Sequence, residues 1–540
     1  YVHANREWAW GIQPGTRQRL AAYRRWMPDV HVDFHEMGVN EPYYFAPGAA
    51  PFHENLTEWQ RDFQFTIGRN NADYFDENGW LYFTEEVFDL FYPGYGDTWP
   101  LFNGAIGMTY EQGGSGRAGR AIVTAEGDTL TLRDRLRRHH TTGLSTVEAT
   151  AEHHEQVVRQ FADYYASAQE DPPGEYRTYV VRRDAQGHRL SVLADHLDRQ
   201  RIRYGYVTDP QTVRGRSSRR GETEPARLQE GALLVNAAQP KARPAKVLLE
   251  PTTTIVASLT YDITAWSLPY AYGLEALALP ESVAPDTNAA PGPPAAMTGD
   301  TDAPYAYVTP WTSRADARFA AALLDEGLRL RFATESFTVD DRSFDPGALL
   351  LTRAGNTNRT GRFDATVRRL AEAHDQSLHG ASTGFTAQGP DFGSDNVGFV
   401  EPPHVAALSG APVSPTRVGE VWHFFDRQLN YPVTLLPADD FEASMLDDVD
   451  VLVLPSGEYS EWLTDARAEA LTDWVRQGGR LIAMGAATDA LADQSPYALA
   501  QKSLDASETD GDDALTSYDA QTRRRLSGAT PGLGVVGREC

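Results

Sequence analysis

Val30-His31-Val32-Asp33-Phe34-His35-Glu36-Met37-Gly38 is the stretch on which the reading of this chain turns. Val30, Val32 and Phe34 alternate with His31, Asp33 and His35, which is the period of a half-buried strand. Pro28-Asp29 precede the strand and Gly38 ends it, while Thr16 to Arg25 reads as a helix with Leu20 and Tyr23 on one face. The order helix, loop, strand puts His35 at the C-terminal end of a strand, where open α/β sheets bind ligands. A histidine there can ligate a metal, serve as a general base, or pack in a core.

Working outward, Asn5-Arg6 lies upstream, and Tyr92-Pro93-Gly94-Tyr95-Gly96-Asp97 and then Met108-Thr109-Tyr110-Glu111 lie downstream. In order and approximate spacing, over roughly residues 1–165, these pieces resemble the C-terminal half of the catalytic domain of zinc carboxypeptidases of the carboxypeptidase A type. The likeness is to the large bacterial branch in which further domains follow the peptidase. The resemblance implies an α/β/α domain with a mixed sheet. It implies that Asn5 and Arg6 grip the terminal carboxylate of a peptide, that His35 is a zinc ligand, that Tyr92 caps the site with Tyr95 as the alternative, and that Glu111 is the general base. Zinc would polarise the scissile carbonyl and acidify its water. Glu111 would take that proton and pass it to the leaving amine. The expected partner is a peptide with a free C-terminus, and the expected location is secreted or periplasmic.

The family's first two zinc ligands come from an H-x-x-E motif well ahead of the Asn-Arg pair. No histidine of this chain has Glu three positions on, and only four residues precede Asn5. A catalytic zinc needs about three protein ligands, so the expectation is a fragment that binds zinc weakly and is inactive alone. Glu36 is a rival base by its nearness to His35, but adjacent strand residues point to opposite faces. Asp33 shares the face of His35 and is a candidate to orient it.

The chain has 540 residues, enough for several domains, and a net charge of −26 from 75 acidic and 49 basic residues. Only Lys241, Lys246 and Lys502 are lysines. This balance argues against nucleic-acid binding. No apolar run approaches the roughly 20 residues of a membrane span. The single cysteine, Cys540, excludes both a disulfide framework and a thiolate metal site.

Trp59, Phe63 and Ile67 mark one face of a helix, Gly104 to Tyr110 reads as a strand, and Ser145 to Gln169 as one long helix. His139, His140, His153 and His154 read as a solvated helix face rather than a metal site. Asp171-Pro172-Pro173-Gly174 is a boundary, so 1–170 is the carboxypeptidase-like part. An internal repeat follows. Tyr179-Val180, a helix through Leu193 and Leu197, a strand at Arg201 to Tyr204, and Ala232 to Val235 are echoed by Tyr307-Val308, a helix through Leu323 and Leu324, Arg329 to Phe332, and Ala348 to Leu351. The repeats make α/β modules at 171–285 and 305–395, joined by a Pro/Gly/Ala-rich linker at 286–304. The run Arg214 to Arg220, present only in the first copy, reads as a surface loop.

Residues 396–500 read as a doubly wound domain. Val451-Leu452-Val453-Leu454-Pro455-Ser456-Gly457 and Gly478-Gly479-Arg480-Leu481-Ile482 resemble the class I glutamine amidotransferase-like fold. Where that fold's enzymes carry a Cys on a tight turn, this chain has Gly485-Ala486-Ala487, and covalent catalysis needs a nucleophile. Residues 501–540 read as an acidic tail. The expected fold class is therefore α/β throughout. The function expected is that of a zinc metallocarboxypeptidase. The alternatives are a non-catalytic peptide binder that keeps the Arg6 grip, or a small-molecule binder on the amidotransferase-like domain.

Overall fold

The computed structural model describes residues 4–184, 187–255, 260–261, 266–289, 296–356, 362–492 and 497–500, and the chain is a mixed α/β protein. It divides into two compact units, residues 3–292 and the residues from 293 on. Among the described residues no helix is long and apolar enough to cross a membrane. The acidic tail of the sequence reading lies outside the described residues.

In the first unit, α1 (Pro14–Trp26) leads into β1 (Val30–Met37). Then come β2 (Tyr43–Tyr44), α2 (Glu58–Asn78), β3 (Tyr82–Phe83), the short α3 (Thr98–Leu101) and β4 (Ile106–Gly113). These strands form a sheet in the order β1-β4-β2-β3, with β1 and β4 parallel and paired residue for residue from Val30↔Ile106 to Met37↔Gly113. β2 runs antiparallel to β4, with Tyr44 opposite Glu111. The Thr57 hydroxyl and the Gln60 side chain close a reciprocal cap at the start of α2. Its buried face, Phe63, Ile67 and Phe75, packs on Tyr43, Phe45, Ile106, Met108 and Tyr110.

The single helix expected over Ser145 to Gln169 is two helices, α4 (Leu132–Glu152) and α5 (His154–Glu170), that part at His153. His139 is not on a solvated face. Its Nδ1 lies 2.7 Å from the Tyr43 hydroxyl, and its ring meets Phe34 and Tyr43 edge-on. His140 and His154 are exposed.

The turn at Asp171–Gly174 lies inside the first unit. Beyond it run β5 (Thr178–Val181), α6 (His188–Gln200), β6 (Gly205–Tyr206), the hairpin β7 (Thr212–Ser217) and β8 (Thr223–Arg227), β9 (Leu233–Asn236), α7 (Ala242–Leu249) and β10 (Ala276–Leu279). The expected strand at Arg201–Tyr204 is displaced. Arg201 closes α6 in a left-handed conformation (φ +56°), and pairing begins only at Gly205. One apolar core joins both sides of the turn, with Trp8, Leu20, Tyr92 and Trp99 in the same cluster as Tyr179, Leu193, Leu197 and Leu248.

The second unit opens with β11 (Met297–Gly299), so the end of the expected linker is a strand, while 290–295 lie outside the described residues. It continues with β12 (Ala306–Thr309), α8 (Arg314–Asp325), β13 (Leu330–Ala333), β14 (Leu349–Thr352), α9 (Phe363–Ala373), β15 (Leu378–Ala381) and β16 (Val397–Val400). The repeat is visible in the topology. The antiparallel strand order β6-β9-β5-β10 of the first copy is matched by β13-β14-β12-β15 in the second. Tyr179 and Tyr307 occupy the same place at the centre, each between two partner strands.

A parallel sheet follows, in the order β18 (Thr434–Pro437), β17 (Val405–Ser409), β19 (Val451–Leu454), β20 (Arg480–Ala483). Helices over Pro415–Trp422 and Asp465–Arg476 accompany it. The inner strands β17 and β19 are short, buried apolar runs, as parallel strands covered by helices are, while β18 and β20 at the edges are partly exposed.

His196 on α6 ties the two parts of the first unit together. Its Nε2 donates to the Ala9 carbonyl at 2.8 Å, and its Nδ1 lies 2.9 Å from the Tyr272 hydroxyl. Burial, and then Arg199, push its pKa down to about 4. The folded protein thus holds this ring neutral, whereas the unfolded chain protonates it below about pH 6.5. Stability from this group is present above that pH and is lost as pH falls toward 4. Between pH 7 and pH 5 the loss is about 2 kcal/mol. Denaturant titrations of the protein and of His196→Gln at both pH values are expected to show a smaller pH dependence in the variant. An equal dependence would refute the neutral, buried imidazole.

Candidate functional site

The parallel register of β1 and β4 decides which side chains meet. His35 stands opposite Glu111 and Asp33 opposite Thr109, all on one face. On the other face Phe34 packs edge-on against Tyr110, and Glu36 is ion-paired with Arg135 of α4. Glu36 is therefore held away from His35 by a partner of its own.

The loop from Tyr92 to Asp97 descends onto the His35 face. Two glycines make the approach feasible. A Cβ on Gly96 would sit 2.0 Å from Asp33 Oδ2, and one on Gly107 would sit 1.9 Å from the Asp97 carbonyl. Asp97 is then anchored on both oxygens. The Thr98 backbone N–H donates to Oδ1 at 2.6 Å, and the Thr109 hydroxyl donates to Oδ2 at 2.9 Å. Asp33 Oδ2 is 3.0 Å from His35 Nε2.

Three carboxylates and one imidazole thus share one small volume, and their protonation is interdependent. Burial pushes the Glu111 carboxyl up to about 7, His35 opposing and the negative charges of Asp33, Asp97 and Glu36 adding to the rise. Burial likewise pushes Asp97 up to about 6. His35 is raised, first by its contact with Asp33, against burial, and then by the fields of Asp33, Glu111 and Asp97. Glu111 Oε2 is buried and has no hydrogen-bond partner among the described residues. A buried carboxyl near neutrality with an idle oxygen is suited to taking up and releasing a proton.

The N-terminal segment reaches the same loop. The Trp8 backbone N–H donates to the Gly94 carbonyl at 3.1 Å, and the Trp8 ring packs edge-on against Tyr23 and His31. Arg19 lies over the Trp8 ring at 4.0 Å. Asn5 and Arg6 sit in a single helical turn, Ala4–Arg6, and the Arg6 guanidinium is 5.2 Å from the centre of the Tyr95 ring. Asn5 Oδ1 is buried without a partner among the described residues.

The structure thus brings His35 and Glu111 together, and brings Arg6 to Tyr95. Tyr92 is placed differently from Tyr95. It is buried, its hydroxyl accepts from Trp10 Nε1 at 2.9 Å, and its ring packs against Tyr95 and Trp266. Tyr95 is half-buried. Sequence reading gave no role to Asp97, although it stands at the end of the quoted tyrosine loop. The signal was the glycine before it, which only a close backbone approach explains.

Zinc is implied by resemblance alone. Among the described residues no group of three or more His, Cys, Asp or Glu side chains is arranged to hold a metal ion. His35 by itself is one candidate ligand, and its Nε2 faces Asp33. The residues described do not make up a zinc site, and the roles below rest on the protein's own groups.

No protein-family model, no curated protein and no solved structure matches this chain.

Gly96→Ala is expected to destabilise the first unit by about 1–3 kcal/mol, because its methyl group needs the space of Asp33 Oδ2. Denaturant unfolding measures this. Gly15→Ala, in open space on α1, serves as the control and should be neutral or stabilising.

Proposed function

We propose that the face of β1 and β4 carries the carboxylate-recognising and proton-transferring groups of a zinc carboxypeptidase-type peptidase acting on peptides with a free C-terminus. The observation that supports this reading most is the pairing of His35 with Glu111 across neighbouring parallel strands, on the face onto which the tyrosine loop descends. In this reading Arg6, with Asn5 beside it, binds the terminal carboxylate, for which a guanidinium offers two parallel donors. Tyr95, stacked on Arg6, covers the bound end, a place that Tyr92 is too deeply packed to take. Glu111 draws a proton from the attacking water and returns it to the leaving amine. Asp33 and Asp97 hold His35 and the loop in place. His35 would be the one zinc ligand that this reading assigns to the chain. The finer architecture belongs to the same proposal. Residues 1–170 are part of a carboxypeptidase α/β/α domain, and the location is secreted or periplasmic.

Binding separates the roles without requiring turnover. A peptide with a free C-terminus is expected to bind more tightly than its C-terminal amide, and Arg6→Ala is expected to remove most of that difference. Equal affinities for acid and amide in the unaltered protein would overturn the reading. Glu111→Gln, which keeps size and polarity but removes the base, should leave this peptide binding intact.

For the parallel sheet of residues 405–483 we propose a class I amidotransferase-like fold that does not hydrolyse glutamine. The turn after β20 holds Gly485 at φ +57°, and the Ala486 N–H donates to Ser456 Oγ at 3.1 Å, so alanine stands where a nucleophile would be needed. Ammonia release from glutamine by the purified protein would refute this.

A further inference from the structure

The chain is acidic, with 75 carboxylates against 49 basic side chains. Yet one cavity of about 630 Å³ in the first unit is lined by Arg182, Arg183, Arg189 and Arg219, with Asp184 and Glu275 as its acidic residues. Four positive groups against two negative ones is the reverse of the molecule's overall balance.

The cavity lies at a corner that only the first repeat builds. β5 runs out into Arg182-Arg183-Asp184, and α6 begins shortly after. The hairpin β7–β8 then delivers Ser218 and Arg219. The Ser218 N–H donates to the Ala276 carbonyl and the Ala276 N–H to Ser218 Oγ, each at 2.9 Å, which fixes Arg219 beside Glu275. In the second repeat β12 runs into Pro310-Trp311, and Ser313 with Asp316 closes the start of α8 by a reciprocal cap. Of the arginine run that reads as a surface loop in the sequence, Arg214 to Ser217 belong to strand β7, and Ser218 and Arg219 line the pocket.

The two carboxylates are already engaged. Glu275 is divided between Arg182 Nη1 at 3.0 Å and Arg219 Nη1 at 2.7 Å. Asp184 accepts from the backbone N–H of Leu190 at 3.1 Å and of Arg189 at 3.4 Å, which commits it to the first turn of α6. Arg189 Nη1 donates to the Gly273 carbonyl at 2.6 Å, while its Nε, 3.8 Å from Asp184 Oδ2, is buried with no hydrogen bond among the described residues. Two glycines lie beside these arginines. A Cβ on Gly187 (φ +78°) would lie 2.9 Å from Arg183 Nη2, and one on Gly273 (φ +60°) 3.0 Å from Arg189 Nη1. The guanidinium groups of Arg182, Arg189 and Arg219 have five N–H donors each, more than these acceptors consume. Tyr270 and Leu274 complete the wall with apolar surface.

We propose that this pocket binds a small organic oxyanion of two or more negative charges, its phosphoryl or carboxylate oxygens held by Arg182, Arg189 and Arg219 and its carbon skeleton lying against Tyr270 and Leu274. The site is separate from the β1–β4 face and stands whether or not the peptidase reading does. Guanidinium forks match both kinds of oxyanion with paired hydrogen bonds.

Calorimetric titration of the whole protein with inorganic pyrophosphate and, separately, with citrate tests the proposal and tells the two anion chemistries apart. Saturable binding of one equivalent of either is expected. Arg219→Lys, which keeps the charge but loses the fork, should weaken it severalfold, and Arg182→Gln combined with Arg219→Gln by about tenfold or more. Arg476→Gln, an exposed arginine of the second unit, should change nothing. Arg219 is itself largely exposed, so Arg219→Lys remains informative if the double variant fails to fold. The proposal is overturned if neither anion saturates below about 10 mM, if sodium chloride at matched ionic strength abolishes the binding, or if Arg219→Lys binds as tightly as the unaltered protein.

Discussion

The residue-for-residue parallel register between β1 and β4 is the constraint on which the rest of the first unit depends. Side chains alternate along a strand, so a slip of one residue would turn His35 and Glu111 to opposite faces and bring Phe34 or Glu36 into the site. Packing on the far face holds the register. Phe34, Tyr110 and His139 interlock beneath α4, and Glu36 is clamped by Arg135. Small residues complete the arrangement on the near face, where Gly96 and Gly107 allow a loop carrying Asp97 to lie against the strands at distances no side chain would allow.

The charge within that arrangement is unfavourable to the fold. Asp33, Asp97 and Glu111 crowd one imidazole, and the buried Glu111 and Asp97 answer by holding their protons more tightly than free carboxyls do. Groups kept in such surroundings are a recurring mark of sites built for proton transfer rather than for stability. The arginine-lined corner of the first repeat is the converse case, with positive groups gathered in an acidic protein.

Much of this was legible in the sequence because it rests on local periodicity. The alternation around Phe34 gave β1, the spacing of Trp59, Phe63 and Ile67 gave a helix face, and the matched distances from Tyr179 and Tyr307 gave a repeat that reappears as a shared strand order. What was not legible depends on partners far away in the chain. Nothing near His139 announces that Tyr43 will bond to it, so a histidine beside charged neighbours reads as solvated. The break at His153 and the left-handed Arg201 are single-residue events that apolar spacing does not register. The arginine run 214–220 reads as a loop because the arginines it joins, at 182, 183 and 189, lie a strand and a helix away.

The apolar cluster that runs through the Asp171–Gly174 turn has a practical side. That turn looks like a natural place to cut, with two prolines and a glycine between secondary-structure elements. The core on its two sides is one body. Trp8, Leu20 and Trp99 belong to the same cluster as Leu193, Leu197 and Leu248, and Gln200 donates to the carbonyl of Ala9. A peptidase-like piece trimmed at residue 170 would carry away part of a shared hydrophobic interior as bare surface, of the kind that drives association in solution. The first α/β repeat is therefore better regarded as the floor on which the N-terminal segment is laid than as a passenger attached behind it.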